Sequence, residues 1–197
     1  MSSLKVLVFL GSTREGRMGD KVIKPLMDKL RAASHDTELI DPLTIGGDGH
    51  IHQPMHFQRD QSKIPDWQKT TNDKIVAANA FVIVTPEYNC ALPPALTSIM
   101  DQFPPQSYRH KPAAIVTYSM GSLGGCRAGA FARPFLSEFG MLPIPSSVCI
   151  PQIQEKLDGD GNLCDERVLK SIDKVVSEIA WYGSAILEKI KSDGVPN

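Results

Sequence analysis

The chain has 197 residues, of which 42% are hydrophobic and 22% are charged, and its formal net charge is -1. These values are typical of a globular protein and exclude a disordered, collagen-like or disulfide-stapled chain. A nearly neutral chain has no basic field for a polyphosphate backbone, so we expect no nucleic-acid partner.

Cysteine spacing and the length of the apolar runs predict the compartment. The four cysteines contain no C-x-x-C pair, so neither a zinc ribbon nor a thioredoxin-type motif is present. The apolar run at residues 6–10 is too short for a signal-peptide core or for a membrane span. We therefore expect a reduced, soluble, cytoplasmic protein with no membrane partner.

Strand-like and helix-like segments alternate along the whole chain. In chain order we predict a strand at 4–10, a helix at 20–33, a strand at 37–41, a long functional loop at 42–65, a helix at 67–79, a strand at 80–85, a helix at 94–103, a strand at 112–118, a helix at 126–139, a strand at 147–150 and a helix at 165–191. Strands that are apolar on both faces, alternating with helices, are typical of a doubly wound parallel α/β sheet. No linker or repeat interrupts the pattern, so we expect one domain over residues 1–197.

Ligands of such sheets lie beyond the carboxyl ends of the strands, where the strand order reverses. The loop after the first predicted strand fits this position, because glycines, hydroxyls and two arginines surround the start of a helix, a pattern suited to one phosphate group. Its residues are Gly11, Ser12, Thr13, Arg14, Glu15, Gly16, Arg17, Met18 and Gly19. A plain strand-to-helix turn with solvated arginines is the alternative, whereas a Walker A loop and a G-x-G-x-x-G fingerprint are both absent.

Two further loops follow the third and fourth predicted strands. The segment T-P-E-Y-N-C-A-L-P-P at residues 85–94 offers flat apolar surface from Tyr88 and Leu92, suited to a planar heterocycle. The segment S-M-G-S-L-G-G at residues 119–125 allows close approach to a ligand edge. Taken alone, each loop could also be a structural turn, with Tyr88 packed as a core residue. All three loops are predicted at the same edge of the sheet, which favours one shared site.

These motifs together resemble the NADPH-dependent FMN reductase family, the flavodoxin-like group that includes quinone, azo-dye and chromate reductases. The resemblance lies in G-S-T-R after the first strand, T-P-E-Y-N-x-x-x-P-P-A-L after the third and S-x-G-x-x-G-G after the fourth. It covers roughly the whole chain, and P-E-Y-N is its most specific part. It implies a five-stranded parallel sheet of order 2-1-3-4-5, a non-covalent FMN, and a homodimer or homotetramer.

The resemblance also implies a set of cofactor-binding residues. On the phosphate side they are Ser12, Thr13, Arg14, Arg17 and Met18; at the flavin ring they are Pro86, Glu87, Tyr88 and Asn89; and on the remaining side they are Ser119, Gly121, Ser122 and Gly124. The chain departs from the family pattern in two places. Arg17 replaces a serine, which adds charge at the phosphate, and Cys90-Ala91 makes the rim less polar.

The activity implied by the resemblance is transfer of hydride from NADPH or NADH, through the flavin N5 atom, to a small electron acceptor. The acceptor would be a quinone, a free flavin, an azo compound or a ferric or chromate species, reduced in a ping-pong cycle. No protein side chain is assigned as catalytic, because the flavin carries the chemistry. The alternatives are a flavodoxin-like electron carrier and an FMN-dependent redox-sensing protein, both without reductase turnover.

Two weaker signals point to ordinary structural roles. His50, His52 and His56 lack a carboxylate or cysteine at matching spacing, so we predict a structural or substrate-facing loop and no metal. Cys126 lies at a helix start, where the pKa of a thiol can fall, but we predict a buried and inert side chain.

Overall fold

The computed structural model describes residues 3–46 and 53–196. Its centre is a five-stranded sheet in which neighbouring strands are parallel and follow the order β2-β1-β3-β4-β5. The strands are β1 (Lys5–Leu10), β2 (Asp36–Ile40), β3 (Ala80–Pro86), β4 (Pro112–Tyr118) and β5 (Leu142–Ile150). This confirms the predicted α/β class and the flavodoxin-like strand order.

The helices lie in two layers, one on each face of the sheet. They are α1 (Gly19–Ala32), α2 (Asp66–Ala77), α3 (Pro94–Asp101), α4 (Pro105–Tyr108), α5 (Cys126–Glu138) and α6 (Glu166–Asp193). One apolar core joins the sheet to α1 and α6, and a second joins the opposite face to α2, α3, α4 and α5. In β1 this division follows the strand period of two, because Val6 and Val8 face the first core and Leu7 and Phe9 the second. None of the helices in the described ranges combines the length and apolar character that a membrane crossing needs.

Two elements differ from the prediction. Strand β5 begins at Leu142 rather than at residue 147, although it contains Pro143 and Pro145. It is an edge strand, where a missing N–H does not break the ladder, and its register shifts beside Ala113 and Ile115. The short helix α4 was not predicted; it begins at Pro105, a residue suited to the first position of a helix.

The predicted functional loop at residues 42–65 contains two short 3-10 turns, Met55–Phe57 and Gln61–Lys63. His50 and His52 lie outside the described residues, and His56 is exposed. Among residues 3–46 and 53–196, no three histidine, cysteine or acidic side chains are grouped as metal ligands.

Candidate active site

One cleft of about 700 Å³ lies at the carboxyl edge of the sheet and is lined by all three predicted loops. In the structure they are loop 1 (residues 11–18, between β1 and α1), loop 2 (residues 87–93, between β3 and α3) and loop 3 (residues 119–125, between β4 and α5). Parallel strands place the residues that follow them at one edge, which brings together segments more than a hundred residues apart in the chain. The predicted cofactor-binding residues that line the cleft are Ser12, Arg14, Arg17, Met18, Pro86, Glu87, Tyr88, Asn89, Ser119, Gly121 and Ser122. The two that do not are Thr13 and Gly124.

Arg17 fastens loop 1 to the end of β2. Both of its terminal nitrogens donate to the Asp41 carboxylate, one of them at 2.8 Å, and the same nitrogen donates to the Ser12 carbonyl at 2.6 Å. Its Nε donates to Asp20 at 2.9 Å, and the side chains of Arg17 and Asp41 are only 9% and 8% exposed. Burial acts to raise the pKa of Asp41, but hydrogen bonds from Arg17 and the Leu43 N–H lower it. The charge that Arg17 adds beside the cleft is therefore neutralised by a buried carboxylate.

Whereas Arg17 contacts Asp41, the side chains of Ser12 and Arg14 in loop 1 contact Tyr88 of loop 2. The Ser12 hydroxyl and the Tyr88 hydroxyl are 2.6 Å apart, and the Arg14 guanidinium lies 3.7 Å from the centre of the Tyr88 ring. In the part of the chain that the structure describes, the Arg14 side chain pairs with no carboxylate. Arg14 thus brings to the cleft wall a positive charge that is not engaged in an ion pair with these residues.

Glu87 joins loop 2 to the helix that follows loop 3. Its carboxylate side chain is 6% exposed, accepts from Nε of Arg127 at 2.7 Å, and accepts from the N–H groups of Arg127 and Ala128 at 3.1 and 3.3 Å. The hydrogen bond from Arg127 lowers the pKa of Glu87, so the group is ionised and caps the N-terminus of α5. These contacts assign Glu87 a positioning role.

A two-residue hairpin shapes the tip of loop 2. The N–H groups of Tyr88 and Ala91 each donate to the other's carbonyl, at 3.1 and 3.0 Å, and Asn89 and Cys90 have φ values of 52° and 65°. Two positive φ values in succession define a type I′ turn, in which glycine is favoured at the second position. Cys90 occupies that position and is exposed at the lip of the cleft.

Loop 3 forms the opposite wall. The Ser119 hydroxyl donates to the Gly121 carbonyl at 3.0 Å, and Met120 and Leu123 line the cleft while 60% and 49% exposed. Gly124 instead packs on β5, because a Cβ there would lie 2.8 Å from the backbone nitrogen of Pro151. The prediction that Cys126 is buried is wrong, since the residue is exposed at the first position of α5.

Tyr118 is a cleft residue that the sequence analysis missed. It is the last residue of β4, is 3% exposed, and lines the cleft, yet its hydroxyl has no hydrogen-bond partner among the described residues. In the sequence it is the end of a buried apolar strand, so nothing in the local pattern separates it from a core residue. Buried hydroxyls without partners are rare, and one that lines a cleft is suited to a hydrogen bond with a bound water or ligand.

These features fit an FMN. The volume of the cleft lies within the range of ligand sites, which is roughly 300–1,000 Å³. Within residues 3–46 and 53–196, Arg14 has no carboxylate partner, the Tyr118 hydroxyl has no hydrogen-bond partner and no side chain caps the N-terminus of α1. These groups provide positive charge and hydrogen-bond donors for a phosphate. Tyr88, Met120 and Leu123 provide apolar surface for a planar ring.

Comparison with known proteins identifies the family. A family model described as NADPH-dependent FMN reductase matches residues 4–155, a range that contains all three loops. The NADH:(hydroxy)cinnamate reductase subunit CrdA of Vibrio ruber is 31% identical over 138 residues, which is 68% of each chain.

Two further proteins are similar over most of their length. A quinone reductase of Escherichia coli strain K12 is 32% identical over 138 residues, covering 68% of this chain and 69% of its own. The structure of FerB, a flavoenzyme NAD(P)H:(acceptor) oxidoreductase from Paracoccus denitrificans, superimposes with a TM-score of 0.71 at 25% identity, covering 92% of this chain and 98% of that one.

Proposed function

The chain belongs to the NADPH-dependent FMN reductase family and is an FMN-dependent NAD(P)H oxidoreductase, and we propose that its acceptor is a small planar quinone. The observation that carries this proposal is the apolar lip of the cleft, where Met120 and Leu123 are exposed beside Cys90. Exposed apolar side chains in a cleft favour a flat, uncharged ligand over a ferric complex or chromate. Azo compounds and free flavins share the planar shape and are the next candidates.

The proposed phosphate site is built from loop 1 and the first turn of α1. Ser12 and Arg14 would hold the phosphate, because a hydroxyl and an unpaired guanidinium face the cleft at the helix N-terminus. Arg17 and Met18 line the same end, but the contacts of Arg17 with Asp41 give it the role of holding loop 1 in place. Thr13 is exposed outside the cleft and has no role in this proposal.

The proposed ring site is built from loops 2 and 3. Its residues share exposure to the cleft between the two loops and are Pro86, Tyr88, Asn89, Ser119, Gly121 and Ser122. Glu87 positions loop 2 through its hydrogen bonds with Arg127 at the start of α5. Gly124 allows loop 3 to pack closely on the end of β5. Neither residue is needed in contact with the ring.

The chain needs no catalytic acid or base of its own in this proposal. Bound FMN supplies the hydride-transfer chemistry. Glu87 is ionised and held by Arg127 and two backbone N–H groups, and burial keeps Tyr118 protonated by raising its pKa. The protein's contribution is therefore to bind and orient the flavin and its substrates and to exclude part of the water from the cleft.

We also propose that the nicotinamide and the acceptor enter the cleft in turn. Cys90, Met120 and Leu123 line the cleft beside the proposed ring site, and use of this one cleft by both substrates favours a ping-pong order over simultaneous binding. An electron carrier would need a separate reductase, whereas this cycle predicts NAD(P)H oxidation by the purified protein alone.

Steady-state rates with NADH and NADPH across quinones, azo dyes, free flavins, ferric complexes and chromate test this function. We expect quinones to give the highest kcat/KM and double-reciprocal plots to be parallel. Leu123→Ser should lower kcat/KM for quinones several-fold and leave the rate with a ferric complex unchanged. Val76→Ser, at an exposed apolar position on α2, is the matched control and should change neither rate. Equal loss with both acceptors would contradict a role of the apolar lip in acceptor choice.

Two features of assembly remain proposals. We propose one FMN-binding domain over residues 1–197, supported by two apolar cores that share one sheet. We propose a homodimer or homotetramer, supported by Phe131 on α5, whose side chain is 60% exposed. Light scattering of the purified protein tests the oligomeric state. The cytoplasmic location stays a prediction.

A further inference from the structure

Two buried tyrosines differ in how their hydroxyls are satisfied. The Tyr108 hydroxyl is fully buried and donates to the Met100 carbonyl at 3.1 Å. The Tyr118 hydroxyl is also buried, but it has no partner among the described residues. Leaving a buried hydroxyl without a partner destabilises a protein, so an unpartnered group at a cleft needs an explanation.

The position of the Tyr118 hydroxyl supplies that explanation. A Cβ on Gly19 would lie 2.6 Å from this oxygen, which places it against the first residue of α1. The N-terminus of α1 carries partial positive charge, has no side-chain cap, and follows the loop that contains Ser12 and Arg14. Gly19 is also what leaves room for the tyrosine, since any side chain there would displace the hydroxyl.

The chemistry of the hydroxyl suits an anion. Burial, together with the neighbouring Tyr88, raises the pKa of Tyr118 above its ordinary value. The hydroxyl is therefore protonated at neutral pH, and it adds no negative charge to repel a phosphate. A donor that reaches an anion out of water makes a stronger hydrogen bond than one between neutral groups.

We propose that the Tyr118 hydroxyl donates a hydrogen bond to the phosphate of FMN and makes the cleft discriminate FMN from riboflavin. This inference rests on FMN binding in the cleft, as in the proposed function. It extends the phosphate site from loop 1 to the end of β4, two strands away in the sheet. Tyr118 is thus a specificity-determining residue that touches the cofactor at a point distant from its ring.

Equilibrium titration of apoprotein with FMN and with riboflavin, followed by flavin fluorescence, tests the proposal. Tyr118→Phe should weaken FMN binding about 10-fold, equivalent to about 1.4 kcal/mol, and change riboflavin binding less than 2-fold. The ratio of the two affinities is the readout, because riboflavin lacks only the phosphate. Equal weakening of both flavins would overturn the proposal by placing the hydroxyl at the ribityl chain or ring, and no weakening of either would overturn it outright.

Thermal unfolding separates ligand binding from a structural role. Phenylalanine removes the unpartnered hydroxyl and keeps the ring, so apo Tyr118→Phe should unfold at the same temperature as wild type or higher. The rise in Tm on adding saturating FMN should be smaller in the variant than in wild type. A lower Tm of the apo variant with an unchanged FMN:riboflavin ratio would show a structural hydroxyl and contradict the proposal.

Tyr108→Phe is the matched control. It removes a buried hydroxyl that has a partner, so the apoprotein should become less stable while the FMN:riboflavin ratio stays at the wild-type value. If wild-type protein binds neither flavin, the proposed function fails. If wild type binds FMN tightly and Tyr118→Phe does so equally well, only the present inference fails.

Discussion

Polar groups at the two edges of the sheet differ in whether the protein completes their hydrogen bonds. At the amino edge, Lys111 precedes β4 and its Nζ donates to the carbonyls of Ile75, Val76 and Ser107, at 2.6, 2.9 and 2.8 Å. These bonds close the last turn of α2 onto the sheet. At the carboxyl edge, the Tyr118 hydroxyl at the other end of the same strand has no partner among the described residues. One strand therefore ends in a completed network at one edge and an incomplete one at the other.

Within the carboxyl edge, holding groups and binding groups are separate. The buried pair of Arg17 with Asp41 and the pair of Arg127 with Glu87 fix loops 1 and 2 in place. Arg14 and Tyr118 keep their polar groups for the cleft. The comparison teaches that substitutions in the first set should affect stability most, whereas those in the second should affect ligand binding most.

The largest stability effect is expected at the buried pair. Asp41→Asn leaves the two terminal nitrogens of the buried Arg17 guanidinium without a carboxylate, and only the exposed Asp20 still pairs with Nε, so the free energy of unfolding should fall by about 3 kcal/mol. FMN affinity should fall with it, because loop 1 loses its attachment to β2. Denaturant titration measures the first effect.

Asp173→Asn is the control for this pair, because the ion pair of Asp173 with Lys29 is exposed and should contribute less than about 1 kcal/mol. Acid sensitivity gives a second check. The lowered pKa of Asp41 stabilises the fold above its unfolded pKa of about 3.9, and this contribution is lost as the pH falls through the folded value. Equal stability of the two variants would contradict a holding role for Asp41.

The amino edge predicts a smaller effect with a distinct pH dependence. Lys111→Met removes three hydrogen bonds to carbonyls and should lower the free energy of unfolding by about 2 kcal/mol at pH 7, with no change in the FMN:riboflavin ratio. Burial lowers the pKa of Lys111 to about 8, below the unfolded value of about 10.4. Between these values the unfolded chain binds more protons, so the contribution of Lys111 to stability increases with pH.

The measurement is the free energy of unfolding of wild type minus that of Lys111→Met, which should grow from pH 8 to pH 10. Lys170→Met, at an exposed position of α6, should show no such trend. A difference that shrinks over this pH range would mean that Lys111 is not held in a buried environment.

Substitution of Arg14 should weaken FMN binding with little effect on stability, whereas substitution of Asp41 should mainly lower stability. Arg14→Met removes a cation from over the ring of Tyr88, and should change the free energy of unfolding by less than about 1 kcal/mol. FMN binding should weaken about 10-fold, because an exposed charge-assisted contact to phosphate is lost. Riboflavin titration and Arg167→Met, an exposed arginine of α6, are the controls, and weaker riboflavin binding would argue against a phosphate contact.

The smallest effect is expected at the tip of loop 2. Cys90 has a φ of 65°, a conformation that disfavours side chains by roughly 1–2 kcal/mol, whereas glycine adopts it freely at an entropic cost. Cys90→Gly should therefore raise the free energy of unfolding by up to about 1 kcal/mol. Cys149→Gly, in strand β5, should lower it, and destabilisation by both variants would show that the turn depends on the Cys90 side chain.

The sequence predicts the five strands, five of the six helices in the described ranges, and the loops that share the cleft. Uninterrupted apolar runs marked the strands, and the rule for parallel sheets placed the following loops together. The start of β5 was missed because Pro143 and Pro145 look like strand breakers unless the strand is known to be at an edge. Helix α4 is missed because consecutive prolines at 104 and 105 are typical of the end of a helix, whereas Pro105 begins a new one.

The sequence predicts most residues of the site, but it does not predict which side chains they pair with. Arg17 looked like a phosphate ligand because Asp41, its partner, lies 24 residues away at the end of another strand. Glu87 pairs with Arg127, 40 residues distant, for the same reason. Tyr118 was hidden at the end of an apolar strand, and only its unpartnered hydroxyl in three dimensions distinguishes it from a core tyrosine such as Tyr108.

The central claim is that the carboxyl-edge cleft holds FMN in a form that nicotinamide reduces directly. Anaerobic titration of the FMN-loaded protein with NADPH or NADH, followed by visible absorbance, tests it. We predict that the flavin colour bleaches with one equivalent of nicotinamide and returns on adding a quinone, with no second protein present. Failure of the protein to retain FMN, or bound flavin that neither nicotinamide bleaches, would contradict the account.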